Sequence, residues 1–586
     1  AGPRDLPSIR FAIRPPPGDS ILMRDRGLAA RSLSISPDGR LVTFVGVHGS
    51  DTVSRLHLRD LASDVTVAIA GTEGARSPFF KPDGEWIGYI DTPSGKLMKV
   101  PTRGGQPQVI CDCRGAVGAD WGNSGWIIFD EGSSFSPLRR VREGGGRVES
   151  LPLADSTFSG NVWNLVAPQF LPGERAVLVT TLGLHIGLSV ITIESGKRTD
   201  VVADAWSGRL VDRETLVYAR KGELWAVRFD PRRLEKSGEP VRVVDSVESK
   251  LDYQAEYAVS TSGTLVYSKP LAVTGRLAQR FVWVDRQDRI EPLAEIPGGW
   301  WMGPRLSPDG SRIMFWGWPF ENYSGGRIWL FDRSSRAPRA LTDDAYTSAW
   351  PIFSGDGRSV VANSSRNTHG NAFPLWSTPT DGGGLPAQLT ALVAQPGSVG
   401  MQQPSSISPD GQTLAFQQFV DPRTGFDLYL LSLTGDRKVR ALLVSEHNER
   451  LPVISPDGRW IAYVSDESGR DEVYARRYPE FGTPLPLSID GGDAPAWSVE
   501  GRELYFARES GLFTVSFLDG RAGAPHRLIN GRQRGNRNTL SGSSQSGRNY
   551  DVARDGRFLM IQQEANYPNG AEYQMVLNWL TDVRAR

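Results

Sequence analysis

A short string, Ser-Pro-Asp-Gly, recurs along this chain and constrains its fold more than any other feature. Its proline presets φ for a turn, its aspartate side chain caps that turn, and its glycine accepts a positive φ. Intact copies lie at residues 36–39, 307–310, 408–411 and 455–458, and looser copies at 81–84, 122–125, 171–173, 212–214, 260–263, 354–357, 498–501 and 554–556. Roughly twelve copies at a spacing of about 40–55 residues match the blade period of β-propellers.

Each repeat continues with segments that alternate like short strands. After the copy at 455–458, residues 460–464 form such a segment, 466–469 a polar turn and 472–475 a third strand. A fourth strand follows, in several repeats after a glycine-rich turn. Four short antiparallel strands make a propeller blade, and we find no amphipathic helix longer than about two turns. The sequence therefore predicts an all-β protein, a β-propeller of about twelve four-stranded blades.

The number of blades predicts how the chain divides. Propellers have typically about four to eight blades, so twelve favour two six-bladed propellers in tandem; one large ring or an uneven split is the alternative. The Pro-Gly-Gly at 297–299 separates two halves with about six copies each. We therefore predict an N-terminal strand segment at 1–32, a first propeller at 33–298 and a second at 299–586.

The two ends of the chain predict how the last blade is completed. The final copy offers three strands, at 550–552, 558–562 and 575–579, and lacks a fourth after Asp582. Residues 9–14 form an orphan strand before the first copy. Pairing the ends closes a ring and hides strand edges that favour aggregation. We expect 9–14 to complete the last blade, so that the chain starts in the second propeller, crosses to the first and returns.

Composition and charge exclude several classes of protein. Lys+Arg and Asp+Glu both number 66, so the formal net charge is zero; a nucleic-acid binder needs a basic excess, and we predict no such partner. No run of about 18 apolar residues predicts a membrane span, and no signal peptide is evident. The chain opens on Ala1 without a methionine, which is typical of a trimmed piece of a longer protein. Residues 533–548, rich in Gly, Ser, Asn and Arg, predict a long mobile loop.

The cysteines and acidic turns predict no metal or cofactor. Cys111 and Cys113 have an i,i+2 spacing that is awkward for a disulfide, and two thiols are too few for zinc, so we expect two semi-buried thiols. Carboxylates cluster at 466–472, but their spacing does not match a calcium-binding EF-hand loop. The six histidines show no paired zinc-binding spacing.

Five stretches carry a resemblance to known proteins: 77–88, 450–474, 491–497, 550–560 and 576–579. They resemble the WD40-like (PD40, TolB-type) propeller that follows the kinase domain in many bacterial serine/threonine protein kinases. This resemblance implies an extracytoplasmic sensor or interaction module, periplasmic or secreted. The chain has no H-R-D or D-F-G kinase signature. It also lacks the G-x-S-x-G elbow of the hydrolase domain that accompanies similar propellers in prolyl-oligopeptidase-like enzymes.

Blade geometry predicts the residues of a ligand site. Propellers bind ligands in the central funnel, and the loop that enters each innermost strand lines it. Counting about five residues back from each turn string, with near neighbours, gives the candidates Arg31, Arg76, Asp120, Trp163, Tyr253, Trp301, Trp350, Gln403, Arg450 and Asp493. Met302 and Asn549 occupy equivalent positions.

Two further groups of residues have a functional and a structural interpretation. Aromatic residues that suit sugars or peptides, or that pack between blades, are concentrated in the second half: Trp300, Trp301, Trp316, Trp318, Tyr323 and Trp350. His447, Glu449 and Asp493 are candidate acid–base groups if the chain is an enzyme, or parts of a solvated loop.

Three functions follow as alternatives. The first is a non-catalytic sensor or binding module for a protein, peptide or glycan, since repeats fill the chain and no catalytic domain is recognisable. The second is a hydrolase or lyase that acts on a peptide or glycan from a propeller funnel. The third is a scaffold in an envelope assembly. A convergent His/carboxylate cluster in one funnel favours the enzyme, and a funnel lined by aromatic residues and arginine favours the binding module.

Overall fold

The protein is almost entirely β-structure. The computed structural model describes residues 7–15, 19–21, 31–48, 53–63, 65–113, 115–131, 136–152, 154, 157, 162–183, 186–249, 254–270, 279–297, 299–319, 326–343, 345–368, 373–391, 400–421, 424–508, 511–530, 547–563 and 572–584. Of the loop predicted at 533–548, all but the last two residues lie outside this described part. Among the described residues, no helix is long and apolar enough to span a membrane.

The strands are short and follow one another through the whole chain. The first 24 are β1 (Ile9–Ile13), β2 (Asp19–Ile21), β3 (Leu33–Ile35), β4 (Leu41–His48), β5 (Arg55–Asp60), β6 (Thr66–Ala68), β7 (Ala75–Phe80), β8 (Trp86–Asp91), β9 (Lys96–Pro101), β10 (Gln108–Asp112), β11 (Ala119–Trp121), β12 (Trp126–Phe129), β13 (Arg139–Arg142), β14 (Glu149–Ser150), β15 (Val162–Phe170), β16 (Ala176–Gly183), β17 (Gly187–Thr192), β18 (Arg198–Ala203), β19 (Trp206–Leu210), β20 (Thr215–Arg220), β21 (Glu223–Asp230), β22 (Glu235–Val244), β23 (Tyr257–Val259) and β24 (Thr264–Ser268). The others are β25 (Gln279–Val284), β26 (Ile290–Ile296), β27 (Gly299–Leu306), β28 (Arg312–Pro319), β29 (Arg327–Asp332), β30 (Ala337–Ala340), β31 (Ser348–Phe353), β32 (Ser359–Ser364), β33 (Leu375–Pro379), β34 (Ala387–Gln388), β35 (Gln402–Ile407), β36 (Thr413–Asp421), β37 (Gly425–Ser432), β38 (Val439–Leu443), β39 (Arg450–Ile454), β40 (Trp460–Ser465), β41 (Glu472–Arg477), β42 (Leu485–Pro486), β43 (Asp493–Trp497), β44 (Glu503–Arg508), β45 (Gly511–Leu518), β46 (Arg521–Ala522), β47 (His526–Asn530), β48 (Tyr550–Val552), β49 (Phe558–Gln563) and β50 (Tyr573–Leu577), before a short helix α1 (Trp579–Arg584).

These strands form twelve antiparallel sheets, six in each of two compact units. Unit 1 comprises residues 1–274 and 567–586, and unit 2 comprises residues 275–566. Blades 1 to 6, in unit 1, consist of β2–β6, β7–β10, β11–β14, β15–β18, β19–β22, and β23, β24, β50 and β1. Blades 7 to 12, in unit 2, consist of β27–β30, β31–β34, β35–β38, β39–β42, β43–β47, and β48, β49, β25 and β26. The predicted fold of two six-bladed propellers is confirmed.

The division differs from the one predicted at 298/299. Strands β25 and β26 pair with β49 in blade 12, so residues 279–296 belong to unit 2 and the first boundary falls at 274/275. Residues 1–32, and the final 20 residues, belong to unit 1. The chain therefore starts in unit 1, passes through unit 2 and ends in unit 1.

The last blade also differs from the prediction. Strand β1 pairs with β50 as expected, with Ile9 opposite Leu577. However, β50 pairs on its other side with β24, and not with the strands at 550–563. Side-chain packing determines that β50 pairs with β24, and the spacing of the turns does not predict this packing. Tyr573 and Met575 pack against Phe44 of blade 1, whereas Phe558 and Met560 pack within unit 2.

The recurrent turn string shows why these residues form hairpins. In the copy before β40, the hydroxyl of Ser455 donates to Asp457 (2.5 Å) and accepts the N–H of Trp460 (3.0 Å). Gly458, at φ +70°, donates its N–H to the Ser455 carbonyl. The turn thus satisfies its own polar groups and fixes the register of the two flanking strands, so the same string starts the second strand of blade after blade.

Candidate functional site

The innermost strands of each unit form a ring around its centre. In unit 2, β27, β31, β35, β39, β43 and β48 each contact the next, and β48 contacts β27. Most of these strands, and their counterparts in unit 1, contain a β-bulge at the same place. The bulge falls after Arg76 in β7, after Met302 in β27 and after Arg450 in β39, for example. Bulges re-aim side chains, and here they turn the middle of each innermost strand toward the centre.

A residue with positive φ marks the bulge. Those at equivalent positions are Ser77, Ala167, Ser207, Gly303, Trp350, Leu451 and Ala494, with φ between 46° and 57°. A proline follows directly in every case but Ser207, and stands three residues before the turn string. Proline inside a sheet is tolerated at bulges because it donates no hydrogen bond to the ladder.

In unit 1, polar groups join every neighbouring pair of blades at the centre. The bonds run in ring order: Ser77 N–H to Arg31 O (3.0 Å), Ser77 Oγ to Val117 O (2.5 Å), Ala167 N–H to Asp130 Oδ2 (3.2 Å), Arg209 Nη1 to Ala167 O (2.9 Å), Ala255 N–H to Ser207 Oγ (2.8 Å), and Ser32 Oγ to Glu256 Oε1 (2.7 Å). The ring of six blades is thus closed by side chains as well as by strands.

Buried acids face one arginine in this centre. Burial raises the pKa of Asp120 and of Asp130 to about 7, against the effect of the backbone N–H groups that each accepts. Burial lowers the pKa of Arg31, and the negative charges of Glu256, Asp120 and Asp130 partly offset this. These carboxylates accept hydrogen bonds within the ring, although Gln254 Nε2, buried next to Ala255, has no partner among the described residues.

The centre of unit 2 contains an open cavity, which we call the central cavity. Residues from all six blade positions line it, among them Arg305, Trp350, Gln403, Leu451, Ala494 and Arg548. Its volume is about 30 Å³, enough for ordered water or for one small group such as a carboxylate. A ligand must therefore present a projecting group to this cavity from outside.

The two arginines give the central cavity a positive excess. Arg305 donates through Nη1 to the carbonyl oxygens of Pro304 (2.9 Å), Arg548 (2.7 Å) and Tyr550 (3.3 Å). Burial, and the neighbouring charge of Arg548, lower the pKa of Arg305 to about 9. Arg548 pairs with Asp551 at 2.7 Å, and the other oxygen of Asp551 accepts the Leu306 N–H. One carboxylate, already engaged, thus faces two arginines.

Three other polar groups of the central cavity can donate hydrogen bonds but have no acceptor among the described residues. Trp316 Nε1, Trp350 Nε1 and Ser405 Oγ are buried and have no hydrogen-bond partner within the described chain. The acceptor oxygen of Gln403 is taken by the side-chain amide of Gln417 at 2.7 Å. A buried donor left unpaired costs free energy, so this cavity is complementary to a group rich in acceptor oxygens.

The candidates predicted from the sequence fall in different places. Arg31 and Asp120 lie at the centre of unit 1, and Arg76 is buried at the start of β7. Trp350 and Gln403 line the central cavity. The side chain of Trp163, and all of Tyr253, lie outside the described residues, as do the side chains of Trp300 and Trp318 and all of Tyr323.

Trp301 and Arg450 have other partners. Trp301 contacts Phe315 and Trp329 of its own blade, at ring separations of 5.3 Å each, and donates to the Pro297 carbonyl. Its core cluster also contains Phe281 and Leu559 of blade 12. Arg450, 1% exposed, pairs with Asp471 at 2.7 Å and with Asp493 at 3.7 Å. These contacts give both residues a role in holding blades together.

The three candidate acid–base groups do not converge on the central cavity. Glu449 is buried, accepts a hydrogen bond from Ser445 (2.7 Å), and has its pKa raised to about 7 by that burial. His447 lies in an exposed loop, 3.7 Å from Asp466. Asp493 faces Arg450. Within the described residues, no three His, Cys, Asp or Glu side chains are placed to hold a metal ion, and Cys111 and Cys113 are buried free thiols.

Sequence reasoning missed Arg305, Ser405 and Arg548 in unit 2, and Asp130, Arg209 and Glu256 in unit 1. Counting back a fixed number of residues ignores the extra residue of each bulge. The proline three residues before the turn string, as at Pro304 and Pro351, is the signal that locates the bulge and hence the residues directed to the centre.

The fold and the two ring centres define a β-propeller protein. No family model and no curated protein matches the sequence. A protein described as TolB from Agrobacterium tumefaciens is 17% identical, with a TM-score of 0.37, and the match covers 49% of this chain and 98% of that one. TolB from Acinetobacter baumannii is 16% identical, with a TM-score of 0.32, over 55% of this chain and 80% of its own. The tricorn protease is 12% identical, with a TM-score of 0.32, over 92% of this chain and 60% of that one. The likeness concerns the fold alone, and the assignment as a propeller rests on the twelve sheets.

Proposed function

We propose that this chain is a non-catalytic binding module, and that unit 2 recognises a carboxylate-bearing group of a protein, peptide or glycan at the central cavity. One observation carries the proposal: three buried donors there have no acceptor in the described part of the chain, beside two arginines that share one carboxylate. A ligand carboxylate supplies the acceptors, and a hydrogen bond to a charged group is worth about 1.5–3 kcal/mol. The resemblance to kinase-linked propellers favours an extracytoplasmic location.

The distribution of acid–base groups supports binding over catalysis. General acid–base catalysis needs the group within hydrogen-bond reach of the reacting atoms. His447, Glu449 and Asp493 are not among the residues that line the central cavity. Their contacts, to Asp466, Ser445 and Arg450 respectively, serve the packing of blades 9 to 11.

The test is thermal unfolding of the full chain with a peptide panel in two forms. Each peptide is offered with a free C-terminal carboxylate and as its C-terminal amide. At a concentration of about 100 times Kd, a ligand that binds only the folded state stabilises it by about 2.7 kcal/mol. We expect free-acid peptides to raise the unfolding temperature and their amides to raise it less. Equal shifts for both forms would overturn the proposal.

Two tryptophan variants locate the site. Trp350→Phe removes the indole N–H, one of the three donors of the central cavity, and keeps an aromatic side chain at this position. Trp329→Phe is the matched control, because Trp329 also has an unpartnered Nε1 but packs against Trp301 and Phe315. We expect the Kd of a binding peptide to rise about tenfold in Trp350→Phe and to stay unchanged in Trp329→Phe. Loss of binding in both variants, or in neither, contradicts the assignment.

A further inference from the structure

Unit 2 contains a second and larger cavity, which we call the inter-blade pocket. It lies between blades 7 and 8, has a volume of about 200 Å³, and is lined by residues that include Thr342, Tyr346, Ser348, Ser364, Arg366 and Trp376. It shares no lining residue with the central cavity. This volume exceeds that of a few water molecules but is below the roughly 300–1,000 Å³ of pockets for drug-sized ligands. It suits one small molecule.

Arg366 provides the charge of the inter-blade pocket. Its guanidinium carbon lies 4.6 Å from the ring centre of Tyr346 and 6.0 Å from that of Trp376, so two aromatic rings hold it in place. It forms no ion pair with any residue that the structure describes. Asp343 also lines the pocket, but it is exposed and accepts the N–H of Ala345 at 2.8 Å. The planar donor edge of Arg366 matches a carboxylate.

Trp376 provides a donor beside that charge. Its side chain is 6% exposed, and its Nε1 has no acceptor in the described part of the chain. Hydroxyl groups complete the lining: Ser348 donates to Ser364 at 3.0 Å, and Thr342 accepts the N–H of Ile328 at 3.0 Å. Hydroxyls both donate and accept, and therefore suit the hydroxyls of a sugar.

We propose that the inter-blade pocket binds a small sugar acid, with its carboxylate on Arg366 and a ring or hydroxyl oxygen on Trp376 Nε1. Asn363 also lines the pocket, and its buried Oδ1 and Nδ2 have no partner among the described residues. A sugar hydroxyl can donate to the one and accept from the other, whereas the ammonium of an α-amino acid uses only the acceptor and fits less well. The site is separate from the central cavity and does not depend on the function proposed there.

The test is calorimetric titration of the full chain with glucuronate, glucose and alanine. We expect glucuronate to bind, and glucose and alanine to bind at least about tenfold more weakly, because neither completes both the carboxylate and the hydroxyl contacts. No binding of glucuronate overturns the proposal. If glucose binds as tightly as glucuronate, Arg366 does not recognise a carboxylate, and the proposal is overturned. If alanine binds more tightly than glucuronate, the ligand is an amino acid, and the proposal is also overturned.

Variants separate this pocket from the central cavity. Arg366→Gln and Trp376→Phe are each expected to weaken glucuronate binding about tenfold. Arg366→Lys keeps the positive charge, so we expect it to weaken glucuronate binding less than Arg366→Gln does. Arg366→Gln changes a partly exposed residue, so it tests the pocket even if Trp376→Phe fails to fold. Trp350→Phe, in the central cavity, should leave glucuronate binding intact. If Trp350→Phe abolishes it and Arg366→Gln does not, the sugar acid occupies the central cavity and the pocket proposal fails.

Discussion

The centres of the two propellers differ although their architecture is the same. Both have six blades, and both turn bulged innermost strands toward the axis. In unit 1, hydrogen bonds from backbone, hydroxyl, carboxylate or guanidinium groups bridge each pair of neighbouring blades, and Asp130 alone accepts three backbone N–H groups. In unit 2, hydrogen bonds also join blades, but the buried donors of Trp316, Trp350 and Ser405 at the centre have no acceptor among the described residues. One fold thus provides a ring joined by hydrogen bonds in unit 1 and a cavity that is the proposed ligand site in unit 2.

The residue at the bulge is one source of the difference. In unit 1 it is Ser77, Ala167 or Ser207, and the short hydroxyl side chains of the two serines reach the next blade. In unit 2 the equivalent residues are Gly303, Trp350, Leu451 and Ala494, none of which has a hydroxyl. Hydrogen bonds also join blades in unit 2, as from Arg305 to the Tyr550 carbonyl and from Ser406 to the Pro452 carbonyl, but a space remains at the centre and larger side chains surround it.

The largest expected effect comes from breaking the ring of unit 1. Asp130→Ala leaves the N–H groups of Val117, Gly118 and Ala167 buried without an acceptor, and each orphaned group costs about 1–3 kcal/mol. We expect the free energy of unfolding of unit 1 to fall by at least about 3 kcal/mol, measured by urea denaturation. Asp555→Ala, in an exposed turn of unit 2, is the control and should change it little.

A loss below about 1 kcal/mol in Asp130→Ala contradicts the view that side chains close this ring. In that case strand pairing and apolar packing between blades suffice, and the comparison between the two centres loses its energetic meaning. Asp130→Asn refines the result, because its single amide oxygen satisfies fewer of the three N–H groups.

The pH dependence of stability is the next largest effect. The pKa values of Asp120 and Asp130 are about 7 in the folded state, above the usual value of about 3.9 for an unfolded chain. The folded state then binds more protons between these values, so the free energy of unfolding of unit 1 falls as pH rises from about 4 to 7 and levels off above 7. Urea denaturation from pH 5 to 8 measures this slope. Asp130→Asn should flatten it, and an unchanged slope in that variant assigns the effect to other groups.

The fold could be predicted from the sequence because its strongest signal is local. The turn string satisfies its own hydrogen bonds, as Ser455 and Asp457 show, so its presence alone fixes a hairpin. Blade number then follows from counting. The assignment of β25, β26 and β50 to blades could not be read in this way. It depends on which buried faces pack together across more than 270 residues of sequence, as in the pairing of Trp283 with Leu559.

The site was less accessible to prediction for a different reason. Trp350 and Gln403 could be placed near a funnel by spacing, but Trp301, at a similar spacing, is turned into the core between blades. The bulge decides which residue faces the axis, and its position depends on backbone conformation. Whether a buried donor finds an acceptor depends on residues of the neighbouring blades, so it cannot be predicted from the sequence around the donor.

The smallest expected effect sharpens the comparison most. Trp350→Phe and Ser405→Ala each remove a buried donor that has no partner among the residues that the structure describes. Removing an unsatisfied polar group costs little, because no hydrogen bond is lost. Without ligand, we therefore expect the free energy of unfolding of unit 2 to change by less than about 1 kcal/mol, and to rise in Ser405→Ala. Deletion of a polar group at the centre of unit 1 has the opposite sign and a larger size. If Ser405→Ala destabilises unit 2 as much as Asp130→Ala destabilises unit 1, the donors of the central cavity are structural, and a ligand is not needed to explain them.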